Sequence, residues 1–122
     1  MTHQGERHHQ IGRAAESHAA AYLEAHGYRL LERNWRIRGG EIDLIVEKAG
    51  VLCFVEVRTR GPGARVQALE SVDARKRALL VRAAQEFLVR HRLQNRRARF
   101  DVVAVATDGT VSHLESAFTL DE

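Results

Sequence analysis

The sequence has one cysteine, Cys53, and one proline in 122 residues. A single thiol can form neither an internal disulfide nor a cysteine-based zinc ligand set, so packing alone must hold the fold, in a reducing setting. Aromatic residues are few, at 6%, and the apolar runs are short. No run approaches the roughly 20 apolar residues needed to cross a bilayer. The first twenty residues are rich in His, Gln, Glu and Arg and lack the apolar centre of a secretory signal. These absences point to a cytoplasmic domain over 1–122 with no membrane partner, residues 1–8 forming a flexible tail. With 44% apolar and 29% charged residues, the chain has an ordinary globular composition and is long enough for a real core.

The net charge of +3 hides a steep gradient. Residues 1–57 carry seven basic and eight acidic side chains, residues 58–99 twelve and three, and residues 100–122 none and five. The positive charge is therefore one block, densest at Arg90, Arg92, Arg96, Arg97 and Arg99. Seventeen of the nineteen basic residues are arginine, the side chain best shaped to grip phosphate in two places. Such a block is the footprint expected for a nucleic-acid partner, with Arg60, Lys76, Arg77, Arg96 and Arg97 as candidate contacts. A solvated helix face rich in arginine is the plainer alternative.

No linker, repeat or low-complexity segment divides the chain. Ile11, Ala14, Ala15, His18, Ala19, Tyr22 and Leu23 recur at helical spacing, and Gly27 suits the position just past a helix end, which predicts a helix over 8–26. A strand is expected over 28–35, then a turn at Gly39-Gly40. Strands over 41–47 and 51–58 follow, joined at Ala49-Gly50. Gly61-Pro62-Gly63 marks a loop. Ser71 is a candidate N-cap, with Asp73 in the first turn of a second helix that presents Val72, Leu79, Leu80, Ala83, Ala84, Phe87 and Leu88 on one side. A strand over 99–106 turns at Asp108-Gly109 into another over 111–114. The order α-β-β-β-α-β-β predicts an α/β fold with a small mixed central sheet flanked by helices.

The chemistry lies in the second hairpin. A two-residue turn at Ala49-Gly50 sets Asp43 opposite Glu56 and Glu41 opposite Arg58. It also gathers Ile42, Leu44, Val46, Cys53, Val55 and Val57 on one apolar face. Carboxylates facing each other across two strands have Cβ atoms about 4.5–5.5 Å apart and repel. Glu56 also interrupts a run that otherwise reads as a buried strand, where an unpaired carboxylate costs several kcal/mol. A basic partner, a shared proton or a bound cation could relieve the strain. A hard divalent ion such as Mg²⁺ is held by one or two carboxylates plus water and phosphate oxygens. A salt-bridge ladder joining Glu41 and Glu56 to Arg58 is the structural alternative.

Gly40-Glu41-Ile42-Asp43-Leu44-Ile45, Phe54-Val55-Glu56-Val57-Arg58-Thr59-Arg60 and Arg99-Phe100-Asp101-Val102-Val103 together resemble the signature blocks of the YraN-type bacterial family. Gly12, Ala15-Glu16, Tyr22-Leu23, Gly27-Tyr28, Asn34, Lys76 and Ala117-Phe118 extend the likeness over about residues 12–118. That family is similar in turn to the restriction-endonuclease-like superfamily, known by its PD-(D/E)XK motif, and within it to archaeal Holliday junction resolvases. The resemblance implies a restriction-endonuclease-like fold and catalytic positions at Asp43, Glu56 and Arg58. Asp43, Glu56 and the helix-borne Glu16 would be the metal ligands. It further implies Mg²⁺- or Mn²⁺-dependent cleavage of branched DNA by a homodimer. Ile42 replaces the motif's proline, and Arg58 its lysine. Arginine keeps its proton at ordinary pH, so it can bind phosphate or stabilise charge but cannot act as a general base.

Other residues have two readings each. Lys76 is a phosphate contact or a solvated helical lysine. Trp35 stacks on an unpaired base or packs. His3, His8 and His9 are a metal cluster or a polar tail. Cys53 is a buried structural thiol, Glu41 orients Arg58, and Asp101 has no evident role. Three functions remain open on sequence alone: a metal-dependent endonuclease, a non-catalytic DNA- or RNA-binding module on the same fold, and an interaction protein whose acid pair is only a salt-bridge ladder.

Overall fold

Two helices and five strands make up the computed structural model, which describes the backbone of residues 3–60 and 72–118 and the side chains of residues 12–59 and 72–118. In chain order these are α1 (His3–Ala25), β1 (Arg29–Ile37), β2 (Gly40–Lys48), β3 (Val51–Arg60), α2 (Ala74–Arg90), β4 (Arg97–Ala106) and β5 (Val111–Phe118). The order is the one expected. The strands lie side by side in chain order, and every neighbouring pair is antiparallel except β3 with β4, which α2 links as a parallel crossover. Among the described residues no helix is long and apolar enough to cross a membrane.

Helix α1 begins at His3, five residues before the expected start. It ends where Gly27, at φ +91°, lets its own N–H reach Glu24 O and the Tyr28 N–H reach Leu23 O. Its buried stripe is narrower than predicted: Ala15, Ala19, Ala20 and Leu23 are covered, whereas Ala14 and His18 are exposed. Three of the four are alanines, so the helix can lie close to the sheet, and only residues aimed straight at it are buried. Helix α2 is capped by Asp73, whose carboxylate accepts the Lys76 N–H at 2.9 Å. The candidate cap Ser71 and the Gly61-Pro62-Gly63 loop lie outside the described residues. Leu80, Ala83, Ala84, Phe87 and Leu88 are buried on α2 as the periodicity predicts, joined by Val81, while Leu79 is only half-buried.

The helices cover opposite faces of the sheet. One core joins α2 to Ile42, Ile45, Leu52, Phe54, Phe100 and Phe118, and the other joins α1 to Leu44, Val46, Cys53, Val55 and Val103. Strand β3 runs down the middle, with Leu52 through Glu56 all buried. The β2–β3 hairpin has the predicted register, Lys48 opposite Val51 through Leu44 opposite Val55. Ala49 and Gly50 both take positive φ, as a two-residue hairpin turn requires. The first turn falls at Arg38-Gly39, one residue earlier than expected. Gly40 is needed there because a Cβ would sit 3.0 Å from the Leu79 carbonyl of α2.

One predicted face is corrected. Ile42 belongs to the α2 core, while Leu44 belongs to the α1 core. Strand β1 switches sides with β2: Arg33, opposite Leu44, donates to Ser17 of α1, whereas Trp35, opposite Ile42, donates to Ala83 O of α2. Both strands turn over between these pairs, at Asn34 and Asp43, where Asn34 adopts φ +53°. Strict alternation fails at this point, and Asp43 stands at the break. Trp35 also meets Phe87 edge-on, so it is a packing residue.

At the far side of the sheet, Asp101 is 1% exposed and collects Arg99 Nε at 3.0 Å, His113 Nε2 at 2.7 Å and the Ser116 N–H at 3.0 Å. Burial alone would raise its pKa, and these hydrogen bonds, led by those from His113 and Arg99, hold it below the usual aspartate value. The carboxylate fills the irregularity where the β4–β5 register shifts between Phe100 and Val102. Asp101→Asn should therefore lower stability by about 3 kcal/mol, because it leaves Arg99 half-enclosed without its counter-charge. Urea denaturation at neutral pH measures this, and a loss below about 1 kcal/mol would show that the network adds little.

Candidate functional site

The β2–β3 ladder stops one pair short of Asp43 and Glu56. Beyond Leu44–Val55, the Asp43 carboxylate itself accepts the Val57 backbone N–H, at 2.8 Å, so a side chain takes over from the ladder. The two strands diverge there, with the Asp43 carboxylate close enough to Glu56 to disfavour its ionised form. Glu56 is 4% exposed. Its Oε2 lies 3.2 Å from Arg58 Nη2, on the same strand, and 3.2 Å from Lys76 Nζ, on the first turn of α2. Burial, then the bond to Asp43 and its charge, push the Glu56 pKa up to about 8 against the pull of Lys76 and Arg58. Glu56 thus favours its neutral form beside Asp43, and a bound cation would relieve the same repulsion.

Glu16 reaches the same place from α1. With its amide nitrogen turned to the acceptors, Asn34 bridges Glu16 Oε2 at 3.1 Å and Glu41 Oε1 at 3.2 Å. Burial and the nearby Asp43 raise the Glu16 pKa. Gly12, Arg13, Glu16, Asn34, Arg36, Glu41 and Asp43 line an open cleft of about 410 Å³. Glu16, Asp43 and Glu56 are thus neighbours, yet among the described residues no three His, Cys, Asp or Glu side chains converge as a ready ligand set. The two carboxylates suit a hard divalent ion that keeps several waters. Glu16 is held back by Asn34.

The remaining predicted residues are spread out. Glu41 faces Arg36 across β1, at 3.5 Å, so the expected Glu41–Arg58 pairing is corrected: the ladder opens before it can form. Arg77 donates to Val72 O and lies over the Phe118 ring. Arg96 bonds Glu47 and Gly50 O, and Arg97 pairs with Val51, both beside the hairpin turn at the opposite end of β3 from Glu56. The side chains of Arg60, His3, His8 and His9 lie outside the described residues. Cys53 is buried, and burial pushes its thiol up to about 12, as suits a structural residue.

Sequence reasoning meets Asn34 only as part of the family likeness, without a site role, and passes over Arg13 and Arg36. A left-handed asparagine inside a strand has no signature in hydropathy, and the arginines lie outside the dense basic block. It also gives no role to Asp101, which binds Arg99, His113 and the Ser116 N–H; Arg99 in turn donates to Tyr28 Oη, which donates to Glu115.

Comparison with known proteins brings in relatives at this stage. The profile of a family described as "Uncharacterised protein family UPF0102" matches residues 15–105. A UPF0102 protein of Halorhodospira halophila is 52% identical over 104 residues, covering 85% of this chain and 82% of the relative. One from Ectopseudomonas mendocina is 48% identical over 103 residues, covering 84% and 87%. One from Myxococcus xanthus is 40% identical over 112 residues, covering 89% of each.

The raised Glu56 pKa makes its contribution to stability fall as pH rises. Glu56 binds its proton more tightly folded than unfolded, so its contribution is complete below the ordinary glutamate value of 4.5 and is lost as pH climbs to about 8. Glu56→Gln, which mimics the neutral carboxyl, should match the wild type at acid pH and exceed it by about 2 kcal/mol in the alkaline range. Urea melts in EDTA test this. A variant less stable at every pH would mean that the charged form, held by Lys76 and Arg58, is the stabilising one.

Proposed function

The chain belongs to the uncharacterised family UPF0102, and we propose that it is a nucleic-acid-binding protein that hydrolyses phosphodiester bonds with a divalent cation, Mg²⁺ or Mn²⁺, at Asp43 and Glu56. The observation that carries this reading is the placement of two acids: Asp43 and Glu56 come from adjacent strands where their ladder opens, and Glu56 is buried with two cations against it. A structural ion pair needs one acid there; the second, though it also takes up the Val57 N–H, adds repulsion that a bound cation would relieve. The donor set fits the ion, being hard oxygens with room for water at a cleft. A bound divalent cation would neutralise charge on the phosphodiester and acidify a water.

The chain's own residues supply the rest. Asp43 is fixed by the Val57 N–H, so one of its oxygens is committed and the other is left to bind. Arg58 reaches Glu56 through Nη2, while its Nε is buried with no hydrogen-bond partner among the described residues. A donor in that state suits an oxygen of a bound phosphate. Lys76 brings a lysine amine into contact with the acid pair, next to the position where Arg58 cannot release a proton. Asn34 keeps Glu16 beside the pair, in reserve as a further ligand. Branched DNA is the proposed substrate, and two copies of so small a domain would be needed to hold both of its strands.

The arginine at position 58 favours a second reading, a binding module on this fold that no longer cuts. Linear and four-way-junction DNA, incubated with the protein and Mg²⁺ or Mn²⁺, separates the two. Cleavage that requires the metal and drops to background in both Asp43→Ala and Glu56→Ala is the expected result. Binding without cleavage, weakening steeply with added salt, would replace the nuclease with the binding module. No binding to any nucleic acid would discard both.

A further inference from the structure

The densest arginine block stands away from the acid pair, and much of it is already paired. Arg90 bonds Glu86 at 2.8 Å, Arg96 bonds Glu47 at 2.7 Å and Arg99 bonds Asp101 at 3.0 Å. Arg96 and Arg97 sit at the β2–β3 turn, five residues along β3 from Glu56, a separation of about 17 Å in an extended strand. A phosphodiester lying over Asp43 and Glu56 is therefore remote from these side chains.

A different set of cations borders the acids. Beside the cleft that holds Glu16 and Asp43, a second hollow of about 480 Å³ is lined by Arg36, Ile37, Gly39, Gly40, Glu41, Lys76 and Leu79. Arg36 and Glu41 line both hollows, so the two form one trough. It runs from Arg13 on α1, past Asp43, over the end of the β1–β2 hairpin to Lys76 on α2. Among the described residues Arg13 has no carboxylate partner, and Arg36 is 67% exposed with its only carboxylate, Glu41, at 3.5 Å. These guanidinium groups are available to a ligand in a way that the paired arginines are not.

We propose that one nucleic-acid strand lies along this trough, its phosphates held by Arg13, Arg36 and Lys76, and that the Arg90–Arg99 end does not grip it. The row of cations is single, which fits one backbone and not the two of a duplex. Arg13 and Arg36 stand among three acids, Glu16, Glu41 and Asp43, and Lys76 is paired with Glu56, so the trough carries no net positive charge until a divalent ion binds. Grip on the strand is therefore linked to the ion, which rests on the reading of Asp43 and Glu56 above. Gly12, at the α1 end, has open space around it, so a backbone can approach the helix there.

Fluorescence anisotropy of a short labelled single-stranded DNA, in Ca²⁺ and in EDTA across a salt series, tests the track without requiring cleavage. Arg13→Gln and Arg36→Gln should each weaken binding about fivefold in Ca²⁺ and reduce the slope of log K against log salt by about 0.7. Arg92→Gln, which removes one charge from the far end, should stay within about twofold of the wild type. Chelation should weaken the wild type more than it weakens either trough variant. The track is overturned if the trough variants bind like the wild type, or if Arg92→Gln or Arg97→Gln loses as much as they do. Either result leaves metal-dependent cleavage to stand or fall on the Asp43 and Glu56 variants. A wild type with no affinity for the strand in Ca²⁺ overturns the track and the nucleic-acid reading together.

Discussion

A carboxyl group on the central strand of a sheet cannot turn to solvent, and Glu56 is such a group, with Asp43 beside it. The surrounding structure accommodates this pair at several points. Strands β2 and β3 separate just before they reach it. Asp43 takes a backbone N–H as its partner, and Arg58 and Lys76 approach Glu56 from two elements. Even so, burial and the second acid outweigh both cations, and Glu56 holds its proton to about pH 8. A buried group left so far from its ordinary ionisation is an unrelieved electrostatic problem, and such problems gather where a ligand completes the structure.

The location of the pair follows from how the two strands are built. β1 and β2 change faces together at Asn34 and Asp43, so the acid sits at the place where neither helix-facing core claims the side chain. Glu16 and Lys76 arrive from helices on opposite faces of the sheet. The site thus lies at the sheet's end, where both layers can reach it. Gly40, pressed against the Leu79 carbonyl, holds the first turns of α2 near enough for Lys76 to reach across.

Much of this can be read from the chain. The element order, the turn at Ala49-Gly50 and the register from Lys48–Val51 to Leu44–Val55, which leads up to Asp43 and Glu56, all follow from period-two patterning and turn chemistry. Those are local signals. What escapes them is set by tertiary packing. Alternation puts Ile42 on the wrong face because it assumes an unbroken strand, and the break depends on an asparagine in a left-handed conformation. The Glu41–Arg58 pairing fails for the same reason. Asp101 has no visible purpose in the sequence because its partners are an arginine two positions before it, a histidine twelve after it and a backbone N–H fifteen after it. No pattern within the sequence joins them.

Charge counted along a sequence weighs every arginine equally, and the fold does not. An arginine bonded to a carboxylate presents little net field to a polyanion, whereas an unpaired one presents nearly all of its charge within a Debye length. Arg96 and Arg99 stabilise the far end of the sheet through Glu47 and Asp101. The sparser cations of α1 and β1 lie beside acids that themselves need neutralising. The electrostatics of the chain thus divide by location: at one end Arg90, Arg96 and Arg99 are paired with carboxylates, and at the other the acids exceed what Arg58 and Lys76 can offset. Only the second arrangement gains from binding something from outside.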